Sequence, residues 1–186
     1  MTLESAKLCF RHSQNTTVHP KTKAVSNNTS TELFHRQCDN KGPTLTIVAA
    51  NHGFIFGGYN AQSWVPNFTY SEAPSSFLFC LKRPRGIADP TGALTLQPPF
   101  VLPVKPVMGH LAIKNSDEQF SPGWGEANKQ DLFIAYKNLD DSYCRVGNIY
   151  QVPSQFKHLS EFEQWSLLAG RPNNWEVKEV EVYAVN

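Results

Sequence analysis

Polar and apolar residues alternate over Thr44-Leu45-Thr46-Ile47-Val48, the period-two pattern of a strand with one buried face. The turn signal Asn51-His52-Gly53 follows, and Phe54-Ile55-Phe56 begins the returning strand, which predicts a hairpin. Gly57 and Gly58 stand inside that returning pattern, where paired glycines predict a bulge or a close backbone approach. Phe77-Leu78-Phe79-Cys80-Leu81 is a continuous apolar run and predicts a strand buried on both faces. Leu132-Phe133-Ile134-Ala135-Tyr136 predicts another strand, with a turn at Asp140-Asp141-Ser142. Val177 to Tyr183 alternates strictly, so Val180, Val182 and Ala184 share one face of a half-exposed strand.

Helical signals are fewer. Ser30 or Thr31 is placed to cap a short helix over Glu32–Cys38, with Leu33 and Phe34 facing inward. Ser160 and Glu163 form the pattern of a capping box, and Phe162, Trp165 and Leu168 or Ala169 recur at helical spacing before Gly170. Two stretches carry neither period. Gln14–Thr31 is polar and reads as a long loop, while proline-rich Pro84–Pro106 reads as an extended segment or an edge strand. Strands dominate and never alternate with long helices. The predicted fold is mainly β (α+β): a two-sheet antiparallel β-sandwich with short flanking helices. At 186 residues the chain is expected to be one domain, 1–186, with its polar loop at about 14–31.

Composition removes several function classes. Seventeen Lys and Arg against sixteen Asp and Glu leave a net charge of +1, too little to draw the chain onto nucleic acid or an anionic membrane. No apolar run approaches the ~20 residues of a membrane-spanning helix, so no membrane insertion is expected. Met1 to Arg11 contains Glu4 and Lys7 and lacks the apolar stretch of a secretory leader. Cys9, Cys38, Cys80 and Cys144 are widely spaced, and reduced thiols in a cytoplasmic protein are the reading they suggest. The Asn-x-Ser/Thr matches at Asn15, Asn27, Asn28 and Asn67 are then expected to carry no glycan.

Candidate chemistry is thin. Gly53 to Tyr59 is glycine-rich but matches no nucleotide-binding loop, and no helix pattern follows to supply amides to a phosphate. His35, Cys38 and Asp39 are close enough on a helix to suggest a thiol with a base, yet they match no nucleophile signature. A buried cysteine beside a capping aspartate is the reading that fits them better. The six histidines show no metal-ligand spacing. Trp64, Trp124, Trp165 and Trp175 lack the basic neighbours of a nucleic-acid stacking surface and fit core packing instead. No catalytic residue, cofactor site or metal site is expected.

The stretch His35-Arg36-Gln37-Cys38-Asp39-Asn40-Lys41-Gly42-Pro43-Thr44-Leu45-Thr46-Ile47, continued by Gly57-Gly58-Tyr59 and Trp64, resembles the TLD family, whose domain is called TLDc. The resemblance runs on through Phe77–Leu81 and Asp131–Ala135 to Val180-Glu181-Val182-Tyr183. It departs from the family pattern at Trp124–Gln130 and after Arg11-His12-Ser13, both in expected loops. The resemblance implies a two-sheet β-sandwich with no agreed catalytic mechanism. It also implies a link to oxidative-stress resistance and to the vacuolar proton-pumping ATPase. It assigns Cys38, Asp39, Asn40, Gly42, Pro43, Gly57, Gly58, Tyr59, Trp64, Glu181 and Tyr183 structural rather than chemical roles. The function expected is a cytoplasmic protein-binding module that docks on a larger assembly, either the vacuolar ATPase or a cytoskeletal or axonemal scaffold. The alternative is an oxidative-stress protection factor acting through a thiol, Cys38 foremost, or by regulation.

Overall fold

The computed structural model describes residues 6–13, 30–84, 99–116, 122–126, 129–135, 139–173 and 175–185. The Gln14–Thr31 loop, apart from its last two residues, and residues 85–98 of the proline-rich segment lie outside them.

Eleven strands build two sheets among the described residues. They are β1 (Ala6–Ser13), β2 (Thr44–Ala50), β3 (Ile55–Asn60), β4 (Tyr70–Ser71), β5 (Phe77–Lys82), β6 (Phe100–Pro103), β7 (Ile113–Lys114), β8 (Gly123–Trp124), β9 (Leu132–Phe133), β10 (Tyr143–Cys144) and β11 (Val177–Val185). The larger sheet runs β1-β11-β2-β3-β5-β6 and the smaller β10-β9-β8-β7-β4, every pairing antiparallel. Two helices accompany them, α1 (Ser30–Cys38) and α2 (Glu161–Trp165). The predicted antiparallel β-sandwich with short helices is the fold observed.

Alternation decides which side chains enter the core. Thr44, Thr46, Val48 and Ala50 of β2 are buried while Leu45, Ile47 and Ala49 are half-buried on the outer face. The register aligns Val180 of β11, Val48, Phe56, Cys80 and Phe100 in one inward row, and Val182, Thr46, Gly58, Leu78 and Leu102 in the next. Rings link the layers edge to face: Phe10 to Phe34 at 5.7 Å, Phe34 to Trp64 at 5.9 Å and Trp64 to Trp124 at 5.2 Å between centroids. The paired glycines are close-approach positions. A Cβ on Gly58 would lie 2.5 Å from Cε2 of Trp124 on the facing sheet, and one on Gly57 would meet the Thr46 carbonyl and the Phe79 ring.

Three expectations need correcting. β5 is not buried on both faces along its length, since Leu81 is 48% exposed. β9 stops at Phe133, and Ile134 and Ala135 continue buried but outside the ladder. The second helix is one short turn. Its capping box forms, with Glu163 accepting from the Ser160 backbone N–H at 2.7 Å, but the helix ends at Trp165 and Phe162 is 62% exposed. A cap fixes where a helix starts. It does not make the following apolar residues face inward.

Candidate functional site

The C-terminal end of α1 brings together the groups with most chemical potential. One helical turn separates His35 from Asp39, and His35 Nδ1 lies 3.0 Å from both Asp39 carboxylate oxygens. Its Nε2 lies 3.3 Å from Oγ of Ser116, just beyond β7. A carboxylate only accepts, so Nδ1 carries the proton, and a neutral imidazole then accepts from the serine hydroxyl at Nε2. The order Ser–His–Asp is that of a hydrolytic triad. Its setting is not an open cleft: His35 and Ser116 are each 3% exposed, and Ser116 is also bridged to Pro66. The three groups tie α1 to the segment that follows β7 of the smaller sheet. The adjacency of His35 and Asp39 was legible, whereas Ser116, 81 residues away, had no sequence signal.

The residues after α1 wrap around one indole. Asp39 bridges to Trp64, the Asn40 N–H donates to the Trp64 carbonyl at 2.9 Å, and Gly42 N–H donates to Ser63 Oγ at 2.9 Å. The indole N–H itself donates to Thr44 Oγ1 at 2.9 Å. The Pro43 carbonyl accepts from Val185 at the far end of β11, at 2.9 Å. Cys38 is buried inside this wrap, where desolvation raises its thiol pKa well above the ordinary value. Burial likewise pushes Cys80 and Cys144 up to about 12. Cys9 is partly exposed.

A second polar centre was invisible in the sequence. Asp131 is buried, and its carboxylate accepts four backbone N–H groups: Gly147 at 2.8 Å, Asn148 at 3.0 Å and Tyr150 at 3.2 Å on Oδ1, and Ile149 at 2.9 Å on Oδ2. Burial pushes this carboxyl up to about 7, against the four amides, which pull it down. On the other side of the same loop, Lys105 Nζ donates to the Gly147 and Asn148 carbonyls, both at 2.7 Å. Among the described residues no group of three or more His, Cys, Asp or Glu side chains is placed to hold a metal ion, and no helix is long and apolar enough to cross a membrane.

A family model for the TLDc domain matches residues 3–186. The chain belongs to the TLDc family. A search of curated proteins found no match. The residues that carried the resemblance fall into two groups in this TLDc domain. Cys38, Asp39, Asn40, Gly42, Pro43 and Trp64 make the wrap around the indole, and Gly58 packs on Trp124 behind it. Gly57, Tyr59, Glu181 and Tyr183 lie instead on the outer face of the larger sheet. There Tyr59 stacks on Phe77 at 5.1 Å, while Glu181 accepts from Tyr183 Oη at 2.9 Å and pairs with Arg11.

Proposed function

We propose that this TLDc domain is a protein-binding module without catalytic activity of its own, docking on a larger cytoplasmic assembly. The carrying observation is the outer face of the larger sheet across β2, β3, β5 and β6. Leu45, Ile47, Ile55, Tyr59, Phe77 and Phe79 line it, and it is open at Leu81 and Val101, the latter 55% exposed. Apolar surface of this kind on a rigid sheet favours contact with another protein. The enclosed Ser116–His35–Asp39 chain and the buried Asp131 supply no reachable nucleophile or base, which supports the non-enzymatic reading. The family points to the vacuolar ATPase as one candidate assembly, and a cytoskeletal or axonemal scaffold suits a small rigid sandwich as the other.

The test is quantitative affinity capture from the source cells with the wild-type domain and a Leu81→Glu/Val101→Glu variant. Subunits of one assembly should be enriched by the wild type and lost with the variant. No enrichment over a tag control by the wild type refutes the reading. Thiol-dependent protection against oxidants is the second reading, favoured only by the partial exposure of Cys9, since Cys38 is enclosed.

A further inference from the structure

Beyond β6 the chain zips onto the loop that Asp131 organises. Gln151 N–H donates to the Pro103 carbonyl at 2.7 Å, Lys105 N–H to that of Ile149 at 3.0 Å, and Val104 bridges to Tyr150. Alongside this seam lies an open pocket of about 510 Å³. That volume is within the roughly 300–1,000 Å³ of ligand-binding clefts. Lys105 and Lys157 are its charged lining residues, with no acidic side chain among the described lining residues, and Pro106, Val107 and Val152 give it apolar walls.

Lys105 is held in a particular way. Two consecutive peptide units stand between its ammonium and the Asp131 carboxylate. The Gly147 and Asn148 carbonyls accept from Lys105, and the N–H groups of those same units, on Asn148 and Ile149, donate to Asp131. Both peptide dipoles therefore point from the lysine to the aspartate. They fix the ammonium before any ligand arrives, which lowers the entropy lost on binding. An ammonium has three donors, and those two carbonyls use two of them. The compensating carboxylate is buried behind the loop, so an incoming anion meets Lys105 and Lys157 at the pocket lining.

The apolar walls narrow the class of anion. Val107, at 77% exposed, stands at the pocket, and Val101 and Pro103 continue exposed surface back along β6. A free phosphate or a nucleic-acid backbone would leave these side chains unused. A carboxylate on a segment with apolar neighbours uses both the charges and the walls.

We propose that this pocket binds a glutamate or aspartate side chain in an extended, apolar segment of a protein partner. The proposal rests on the protein-binding reading above and names the chemistry of the partner. It is tested by titrating the ¹⁵N-labelled domain with a blocked peptide, acetyl-Val-Glu-Leu-Glu-Val-amide, and with its glutamine counterpart and inorganic phosphate as comparators. Saturable shifts are expected at the amides of Gly147, Gln151, Val152 and Gln164 with the glutamate peptide, weakened by salt and absent with the glutamine peptide. Lys157→Gln, a change at an exposed residue, should weaken binding by up to about fivefold, the weight of one exposed charge pair, and Val107→Ser should also weaken it. No saturable shift at these amides, an equal response to the glutamine peptide, or phosphate binding as tight as the glutamate peptide each overturns the proposal. Capture that persists undiminished in a Lys157→Gln/Val107→Ser variant refutes the pocket while the module reading stands. Failure of the wild type to capture any assembly refutes the module reading instead.

Discussion

Gly58→Ala measures how tightly the two sheets are pressed together. The new methyl carbon would stand 2.5 Å from Cε2, 2.7 Å from Nε1 and 2.9 Å from Cδ2 of Trp124. Ordinary carbon contacts are about 3.5–4.0 Å, so the indole must retreat by about 1 Å. Trp124 is fully buried against Trp64, so that retreat strains the core, and overpacking of this kind costs about 1–3 kcal/mol. Gly58 has no positive φ, so alanine fits the backbone and recovers about 0.4–1 kcal/mol through the unfolded chain. Trp124 Nε1 makes no hydrogen bond among the described residues, so its displacement breaks none. Central values of the two effects leave a net loss of about 1.3 kcal/mol, or a fall in Tm of roughly 3–5 °C for a domain of this size. Urea denaturation and calorimetry measure it. Trp124→Leu removes the two most overlapped atoms, Cε2 and Nε1, so the double variant should be less destabilised than the sum by about 1 kcal/mol. A Gly58→Ala domain as stable as wild type, or additive with Trp124→Leu, refutes the close-approach argument.

Native alkylation with iodoacetamide at neutral pH should label Cys9 and spare Cys38, Cys80 and Cys144, whose burial disfavours the thiolate; fast labelling of Cys38 would contradict this. The Asp131 carboxyl ¹³C shift should titrate near 7, and a midpoint below about 4 would mean that the amide donors outweigh burial. Because its folded pKa is raised, the native state holds a proton that the unfolded chain releases. This group's stabilisation is therefore full below about pH 4 and lost as the pH rises through about 7, a slope that Asp131→Asn should flatten in denaturation series. Ser160→Ala should cost about 1 kcal/mol at the start of α2. Phe162→Ser, at an exposed position, should change stability by less than about 0.5 kcal/mol, and a larger loss would show that α2 packs more tightly than its exposure indicates.

Local patterns in this chain were legible where one face is buried and the other is not. The alternation of β11 placed Val180 and Val182 on one face, and both are buried; in β2 the period was legible but not the face, since Thr44 and Thr46 are buried while apolar Leu45 and Ile47 stay half-buried outside. The glycine pair announced a close approach, though the ring that makes it, Trp124, lies in a segment that departs from the family pattern. The site residues were half legible. His35 and Asp39 share a helix turn and were noticed as a pair, but the sequence offered Cys38 as their partner and the fold supplies Ser116. Asp131 was a single acid before an apolar strand. Its four amide donors come from residues 147–150, and no spacing rule predicts that a distant loop will fold its backbone around one carboxylate. Lys105 is one of two cations, with Arg85, in a proline-rich stretch whose pattern reads only as an extended apolar segment.

The position of β11 between β1 and β2 bears on how the domain comes into being. Arg11 and its partner Glu181 are 170 residues apart, and β11 is the only sheet neighbour of β1 among the described residues. During synthesis β1 must wait for nearly the whole domain before its ladder exists, while β2 and β3 pair at once through a short turn. Loop closure over such a distance slows folding and leaves strand edges unpaired in the meantime. The nascent chain therefore passes through a stage in which the β2 edge, later covered by β11, is open to any other strand, and chaperone occupancy should be greatest just before residues 177–185 emerge.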